Sequence, residues 1–357
     1  MKKLVKELCC SSYVSGCEIS VGDKAIIGYL QRHHIPFEID VVGNVVFQKI
    51  GNGKSTLMLV AHYDEVGFSV KYIDDNGYIY FSAVGGIDVS ILRGQKVIIM
   101  HDGQFVAGVI GAKPIHMTNQ KRNEKNTIDI SDLWIDIGVK GKAGVGKYVS
   151  VGDPISFYPN FTEINEDVFT SKSIDNRVGV AVLLSVYKKI RNANISYKCI
   201  YFVLSSQEEL GLRGAKAAGY AINPDTCIAI DVTHATDYPS INKSKYGDVK
   251  LDKGAVIPIG SNFSNSIQKC LKRIALENSI PYQIESIPGY SGTDISEIQL
   301  ARGGCMSGLI SVPCRYMHTP VEMASYNDIE AASSVLSIFS CIAINTQSSD
   351  NLSFATK

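Results

Sequence analysis

The sequence predicts an α/β protein with a mostly parallel central sheet flanked by helices and an inserted small β-barrel domain. Apolar strand-like runs alternate with helical patterns over residues 1–68 and again over 160–345, which is typical of a parallel sheet covered by helices. Between these stretches, residues 69–159 contain short β-rich runs separated by Gly, Asp and Asn turns, as in small barrels. We therefore expect one α/β domain in two pieces, an inserted barrel domain, and a polar tail over 346–357.

The individual elements follow from the spacing of apolar residues. Helical spacing appears over 4–14 and 20–34, a short strand is expected around 35–51, and the run LMLVA (57–61) predicts a buried strand. After the insertion, apolar runs predict strands and apolar stripes predict helices in alternation. The expected order is helix 175–194, strand 199–206, helix 212–222, strand 226–232, helix 263–279 and strand 281–287.

Composition excludes several classes of protein. The 357 residues include 35 basic and 35 acidic side chains. The formal net charge is therefore zero, and no overall electrostatic attraction favours binding to nucleic acid or to an anionic membrane. No segment approaches the roughly 18–20 apolar residues that span a bilayer. Nine cysteines at irregular spacings include no CxxC pair, which favours reduced thiols. We expect a cytoplasmic protein with neither a nucleic-acid nor a membrane partner.

The most informative chemical feature is the adjacent pair Glu208 and Glu209, which follows the apolar run in YKCIYFVLSSQEELGLRG. Successive side chains at a strand end point in different directions, and paired like charges need a cation or a shared proton to persist. One carboxylate could then bind a metal ion while its neighbour handles protons. An isolated pair of this kind is more simply explained as an exposed helix start, where Glu favours the helix dipole.

Four other segments carry potential ligands at or just beyond predicted strand ends. His62 and Asp64 share a face of extended backbone in AHYDE, so Asp64 could hydrogen-bond the second ring nitrogen of a metal-bound His62. Asp175 precedes an apolar helix, where N-capping alone would explain it. Each of the segments also has an ordinary structural explanation. The remaining candidates are Asp231 at the end of an apolar strand, the weaker His234 in the same turn, and His318 before Thr-Pro.

Together these segments supply two imidazoles and three carboxylates, with Glu208 and Asp64 left over. Open α/β sheets place ligands beyond the carboxyl ends of their strands, where every candidate maps. Mixed imidazole and carboxylate ligation suits zinc, cobalt or manganese. One carboxylate can also bridge two ions, as in aminopeptidases, phosphatases and related hydrolases.

These residues, in this order, resemble the M42 family of metallo-aminopeptidases, the tetrahedral and glutamyl aminopeptidase-like members of the co-catalytic zinc peptidase clan. The resemblance spans residues 3–345. Tyr63 departs from the more usual Met, and CCSSYVSGCE is a Cys-rich version of the family's opening motif. The matching stretches are AHYDEVG, SIDNRVG, SSQEELGLRGA, AIDVTHATD, GYSGTD and VPCRYMHTPVE, with VGNVV, GAKPIH, DIG and VGDP.

The resemblance implies a role for each candidate residue and two divalent metal ions per subunit, zinc first and cobalt or manganese as alternatives. His62 and Asp231 would bind one ion, Glu209 and His318 the other, and Asp175 would bridge them. Glu208 would act as general base towards a metal-bridging water, and Asp64 would orient His62. Part of GYSGTD, namely Gly292, Thr293 and Asp294, would form the wall that receives the N-terminal residue of a peptide substrate.

The resemblance also implies that the barrel domain serves oligomerisation into dimers and dodecamers. Three alternatives stay open: another metal-dependent amide hydrolase such as a deacylase or carboxypeptidase, a glycoside hydrolase with paired acids, and a non-catalytic assembly module. Adjacent Glu208 and Glu209 suit a glycoside hydrolase poorly, because its two acids flank the bond about 5–10 Å apart. The preferred substrate residue, the metal and the role of His116 are left undetermined.

Overall fold

The computed structural model of the chain describes residues 1–19, 25–51, 53–114, 117, 128–193, 195 and 198–342. Predictions for His116 and for the tail 346–357 fall outside these residues. The strands are β1 Phe37–Ile39, β2 Val45–Ile50, β3 Ser55–His62, β4 Gly67–Ile73, β5 Ile79–Val84, β6 Lys96–His101, β7 Gln104–Ala112, β8 Leu133–Asp136, β9 Pro154–Phe157, β10 Thr162–Glu163, β11 Val168–Ser171, β12 Lys198–Ser205, β13 Thr226–His234, β14 Ala255–Ile259, β15 Tyr282–Ser286, β16 Met306–Cys314 and β17 Glu322–Ser325. The helices are α1 Lys2–Cys9, α2 Ala25–Arg32, α3 Lys142–Val145, α4 Ile174–Ile190, α5 Arg213–Ile222, α6 Lys243–Tyr246, α7 Asn265–Glu277, α8 Ile295–Ile298 and α9 Tyr326–Ser340.

The central sheet has eight strands in the order β1-β2-β12-β3-β13-β16-β14-β15. Its middle strands β12, β3, β13 and β16 all run parallel. Antiparallel pairs occur towards the two sides, at β1-β2, β2-β12 and β14-β16. The predicted fold class, a mostly parallel sheet with flanking helices, is therefore confirmed.

Helices cover both faces of this sheet. Leu57, Leu59 and Ala61 of β3 face a core that includes residues of α4, α7 and α9. The alternate residues Met58 and Val60 face a second core built with α5 and α8. A strand buried on both faces has no polar alternation, because both sets of side chains lose contact with water. This explains why β3 reads as a continuous apolar run.

The barrel interrupts the α/β fold between β3 and β10. Its six strands close in the order β4-β5-β8-β7-β6-β9, and closure removes the unpaired edges of an open sheet. The interior is a separate apolar core that includes Phe68, Phe81, Ile99 and Ile135. The inserted barrel of the predicted fold is thus present, with strands between Gly67 and Phe157; the exact division into domains stays a prediction.

Two local predictions near the N-terminus differ from the structure. The helix expected over 4–14 ends at Cys9, and Val14 forms a β-bridge with Glu65. The single strand expected around 35–51 is a hairpin of β1 and β2, because Asp40 Oδ1 accepts hydrogen bonds from the Val42 and Asn44 main-chain N–H groups. Within the described residues, no helix is both long and apolar enough to cross a membrane.

Candidate active site

The candidate residues converge at the carboxyl edge of the four parallel middle strands. His62 ends β3, Asp231 lies near the end of β13, and Glu208 and Glu209 follow β12. His318 follows β16. Parallel strands present their carboxyl ends at one edge of a sheet, so residues distant in sequence meet there.

The first group of possible metal ligands is His62, Asp175 and Asp231, all buried. His62 Nε2 lies 3.1 Å from Asp175 Oδ1 and 3.6 Å from Asp231 Oδ1. The three ligand atoms lie within 4.8 Å of one another. One imidazole and two carboxylates at this spacing can surround a divalent cation.

The second group is Asp175, Glu209 and His318. His318 Nε2 lies 3.3 Å from Glu209 Oε1 and 3.4 Å from Asp175 Oδ2. The two groups share Asp175, which offers Oδ1 to His62 and Oδ2 to His318. One carboxylate therefore lies between two sets of nitrogen and oxygen donors.

Asp175 lies inside the first turn of α4 and does not cap this helix. Asp175 and Asn176 have non-helical backbone angles within α4, and the peptide bond between them is cis. Asn176 Oδ1 instead accepts a hydrogen bond from the Gly179 N–H at 3.0 Å. Because Asn176 satisfies this helix-start donor, the Asp175 carboxylate is left to face the two imidazoles.

The paired acids lie on a turn whose main chain is held by buried carboxylates. The Glu208 and Glu209 N–H groups donate to the two oxygens of Asp64, each at 3.1 Å. The preceding N–H of Gln207 donates to Glu18 Oε1 at 2.8 Å. From this turn Glu209 reaches His318, while Glu208 Oε2 lies 3.9 Å from His62 Nε2. The two acids thus face different parts of the site.

The structure gives Asp64 a position beside the ring of His62. Asp64 Oδ1 lies 3.5 Å from His62 Nδ1, which is longer than an ordinary hydrogen bond. The Nδ1 atom is buried without a hydrogen-bond partner. Asp64 instead accepts hydrogen bonds from the main-chain N–H groups of Glu208 and Glu209. It therefore supports the turn that carries the paired acids.

Sequence reasoning missed two groups that hold the ligands in place. Glu322 accepts a hydrogen bond from the Asp175 N–H at 3.0 Å and another from the His318 N–H at 2.7 Å. His318 Nδ1 lies 2.7 Å from the carbonyl oxygen of Gly86, in the barrel segment after β5. Donation from Nδ1 to this carbonyl leaves Nε2 free as a ligand. No spacing signal in the sequence relates Gly86 to His318.

The electrostatics of the cluster fit a bound cation. Burial raises the pKa of Glu208, Glu209 and Asp231 above the ordinary carboxyl value. Burial would do the same to Asp175, but the rings of His318 and His62 hold its pKa well below that value. In the described chain, no Lys or Arg forms a salt bridge with these four carboxylates. Buried carboxylates without a cation are costly, so a divalent ion suits this donor set.

A cavity of about 240 Å³ opens beside the two ligand groups. Gly292 and Thr293 of the GYSGTD segment line it, as does His234 from the end of β13. Asp294 is not among the lining residues: it is buried and accepts a hydrogen bond from Ser205 Oγ. Of the three residues predicted to contact substrate, two border the cavity and one lies behind it.

Comparisons with known proteins show which family and which solved structures the chain is similar to. The family model for M42 glutamyl aminopeptidases matches residues 43–335. A lysyl aminopeptidase of Pyrococcus furiosus is 31% identical over 330 residues, which cover 92% of this chain and 93% of that protein. The structure of aminopeptidase APDkam598 from Desulfurococcus kamchatkensis has a TM-score of 0.86 and 35% identity, with coverage of 96% and 94%. The Pyrococcus horikoshii TET1 peptidase, described as assembling into a tetrahedron or a large octahedral shell, has a TM-score of 0.83 and 29% identity, with coverage of 95% and 98%.

The family match and the similar proteins place this protein among the peptidases that act at chain ends. The chain belongs to the M42 glutamyl aminopeptidase family. The predicted resemblance is confirmed, and so is the class of enzyme, a hydrolase of peptide bonds.

Proposed function

We propose that this protein is an aminopeptidase that binds two divalent metal ions and removes N-terminal residues from peptides. Zinc is the first candidate for the metal. The observation that carries the proposal is the pair of ligand groups that share Asp175. His62 and Asp231 complete one group, and Glu209 and His318 complete the other. A shared carboxylate between two such groups is the arrangement that dinuclear hydrolases use to hold both ions.

When bound, two divalent ions acidify a shared water and polarise the scissile carbonyl. Glu208 lines the cavity with Asp175, Glu209 and Asp231, and of these four carboxylates it alone belongs to neither ligand group. Its carboxylate is therefore available to take a proton from the attacking water and to return it to the leaving amine. Asp64 keeps Glu208 in position by accepting its main-chain N–H.

Three alternatives from the sequence are less well supported. A glycoside hydrolase would leave the imidazoles of His62 and His318 without a function, although both lie within the carboxylate cluster. A deacylase or carboxypeptidase could use the same ligand groups, and a preference for N-terminally blocked over free peptides would favour it. A non-catalytic assembly module would be inert towards both kinds of peptide.

The isosteric substitution Glu208→Gln tests the proposed mechanism. We expect kcat to fall by roughly 10²–10⁴-fold, the usual contribution of a positioned general base, with metal content unchanged. Steady-state kinetics on peptides with a free amine would be paired with elemental analysis of bound metal. Activity at the wild-type level in this variant would contradict the role of Glu208.

Glu209→Gln is the matched control, because it alters the neighbouring carboxylate of the same turn. Glu209 belongs to the second ligand group, so this variant should lose metal occupancy together with turnover. Equal metal loss in both variants would mean that Glu208 is itself a ligand, and the division of roles would be wrong.

We also propose that the chain forms a homo-oligomer through the inserted domain of residues 69–159, which divides the catalytic domain of 1–68 and 160–345. The proposal is supported by the TET1 neighbour, which is described as assembling into a tetrahedron or a large octahedral shell. Light scattering of the purified protein measures the assembly directly.

A further inference from the structure

The turn that carries the paired acids is held by side chains from three other segments of the chain. Its four consecutive main-chain N–H groups, from Ser206 to Glu209, all donate to side-chain oxygens. Asn44 accepts the first at 3.0 Å, Glu18 the second at 2.8 Å, and Asp64 the last two at 3.1 Å each. Successive N–H groups of a turn can form a concavity that binds anions, so the two carboxylates suit this turn. Its position therefore depends on these three side chains.

Gln207 has an unfavourable backbone conformation within this turn. Its φ angle is 54°, in the left-handed region that residues with a side chain rarely adopt. Its main-chain N–H donates to Glu18, and its side-chain amide donates to the Val42 carbonyl oxygen at 3.0 Å. Because Glu208 follows directly, the backbone angles of Gln207 set the direction in which the Glu208 carboxylate points.

Glu18 reaches the turn from the segment between α1 and α2. Its side chain is buried. The same segment is attached to Glu65, whose main-chain N–H donates to the Tyr13 carbonyl oxygen at 3.0 Å. A Cβ at Gly16 would lie 3.3 Å from Leu210 Cδ1, so the main chain of this segment passes close to the turn of the paired acids. Glu18 is thus held at its own end and can hold the turn.

We propose that Glu18 is a positioning residue for the general base and holds Glu208 in place through the Gln207 N–H. The inference rests on the proposed role of Glu208 and gives the segment between α1 and α2 a part in the reaction. Glu18 belongs to neither ligand group and does not line the cavity, so its effect passes through the turn. An N–H that loses its acceptor in a part-buried turn is unfavourable, and a turn that shifts to find another acceptor would move Glu208 with it.

Glu18→Ala removes the acceptor and tests the proposal. We expect kcat of the metal-loaded enzyme to fall by about 10–100-fold, since a misplacement of about 1 Å can cost about 100-fold in rate. KM should stay near the wild-type value because the cavity lining is unchanged. Metal affinity, measured by calorimetric titration, should change much less than kcat, because the Glu209 side chain also contacts His318. An unchanged kcat, or a loss of metal affinity as large as the loss of kcat, would overturn the proposal.

Glu18→Gln is the conservative variant, because it keeps a carbonyl oxygen at the same distance along the side chain. It should restore most of the kcat that Glu18→Ala loses. A neutral amide is compatible with this site, since burial, followed by the charge of Asp64, already raises the pKa of the Glu18 carboxyl to about 7. Equal losses of kcat in the Gln and Ala variants would contradict the hydrogen-bond argument.

Asp328→Ala is the matched control for a purely structural effect. Asp328 is also buried, and it accepts the main-chain N–H groups of Asp252 and Gly254 at 2.7 Å and 2.6 Å. It lies in the first turn of α9 and does not line the cavity. This variant should unfold at a lower urea concentration and keep the wild-type kcat. An equal loss of kcat in Asp328→Ala and Glu18→Ala would mean that lower stability alone explains the effect of Glu18.

The double variant with both Glu18→Ala and Glu208→Gln separates this inference from the proposed mechanism. If Glu18 acts through Glu208, its removal should not lower kcat further once the base is gone, because residues that act as a unit have non-additive effects. Additive losses would refute the positioning role of Glu18 and leave Glu208 as the base. Wild-type activity in Glu208→Gln alone would instead refute the base itself.

Discussion

Glu322 shows how one residue can hold two candidate metal ligands in place. Its two oxygens accept the main-chain N–H groups of Asp175 and His318. The side chain is buried, so these bonds exchange little with water. Asp175 and His318 come from α4 and from the segment between β16 and β17, and a single carboxylate fixes the distance between them.

Glu322→Gln should weaken metal binding by about 10–100-fold, the usual effect of removing support from a ligand. A Gln side chain keeps one acceptor and presents an amide N–H₂ to the second N–H, so one of the two bonds is lost. Calorimetric metal titration of the variant measures the effect. Glu330→Gln, at an exposed pair with Lys189, is the control and should bind metal normally. Wild-type metal affinity in Glu322→Gln would show that Asp175 and His318 keep their positions without the Glu322 carboxylate.

At the scale of elements, the turn between β12 and α5 is fixed by close approach of main chains. The Gly214 N–H donates to the Ser206 carbonyl oxygen at 3.0 Å, and its own carbonyl accepts from Asn44 Nδ2 at 3.0 Å. A Cβ at Gly214 would overlap the Asn44 side chain and the Ser206 main chain. Glu208 and Glu209 lie inside this turn, so the fit of Gly214 determines where they point.

Gly214→Ala should therefore lower both stability and activity. We expect a loss of about 1–3 kcal/mol in the free energy of unfolding, as for other overpacked sites. Turnover should fall by roughly 100-fold, because a small displacement of a catalytic group strongly lowers the reaction rate. Urea unfolding and kinetics measure the two effects. In Gly303→Ala the new Cβ meets open space, and that variant should match the wild type; equal behaviour of the two variants would contradict the packing argument.

At the scale of the whole molecule, Glu65 joins the N-terminal segment, the barrel and the α/β fold. Glu65 Oε1 accepts from the Tyr13 N–H at 2.9 Å and from Ser156 Oγ of the barrel strand β9 at 3.0 Å. Its Oε2 forms a buried salt bridge of 2.6 Å with Lys172, whose Nζ also donates to the Ser11 carbonyl oxygen. Segments far apart in the chain thus meet at one ion pair.

Lys172→Met should lower the free energy of unfolding by about 3 kcal/mol, the lower end for a broken buried pair. The reason is that the variant removes the closer of two buried cations beside Glu65 and leaves only Arg177, whose Nη2 lies 3.8 Å from Glu65 Oε2. Chemical denaturation monitored by circular dichroism measures the change. Lys189→Met removes a half-exposed partner of Glu330 and should cost at most about 1 kcal/mol. Similar losses in the two variants would mean that the buried Glu65–Lys172 pair contributes no more to the free energy of unfolding than the exposed Glu330–Lys189 pair.

The fold class and the ligand candidates could be predicted because their signals are local. The run LMLVA is apolar throughout since β3 is buried on both faces, and His62 stands where that run ends. The turn of the paired acids follows β12 in the same way. The local pattern gave a wrong prediction at residues 35–51, where one strand was expected. There the Asp40 side chain accepts a hydrogen bond from the Val42 N–H and stabilises the turn between β1 and β2.

The sequence by itself determined the fold class and the candidate residues at the ends of apolar strands, because periodicity and strand ends are properties of neighbouring residues. Only the tertiary structure decided that Asp175 faces two imidazoles, that Glu322 fixes it there, and that the Gly86 carbonyl reaches His318. These contacts join residues that are far apart along the chain, and they depend on how the sheet, the helices and the barrel pack together.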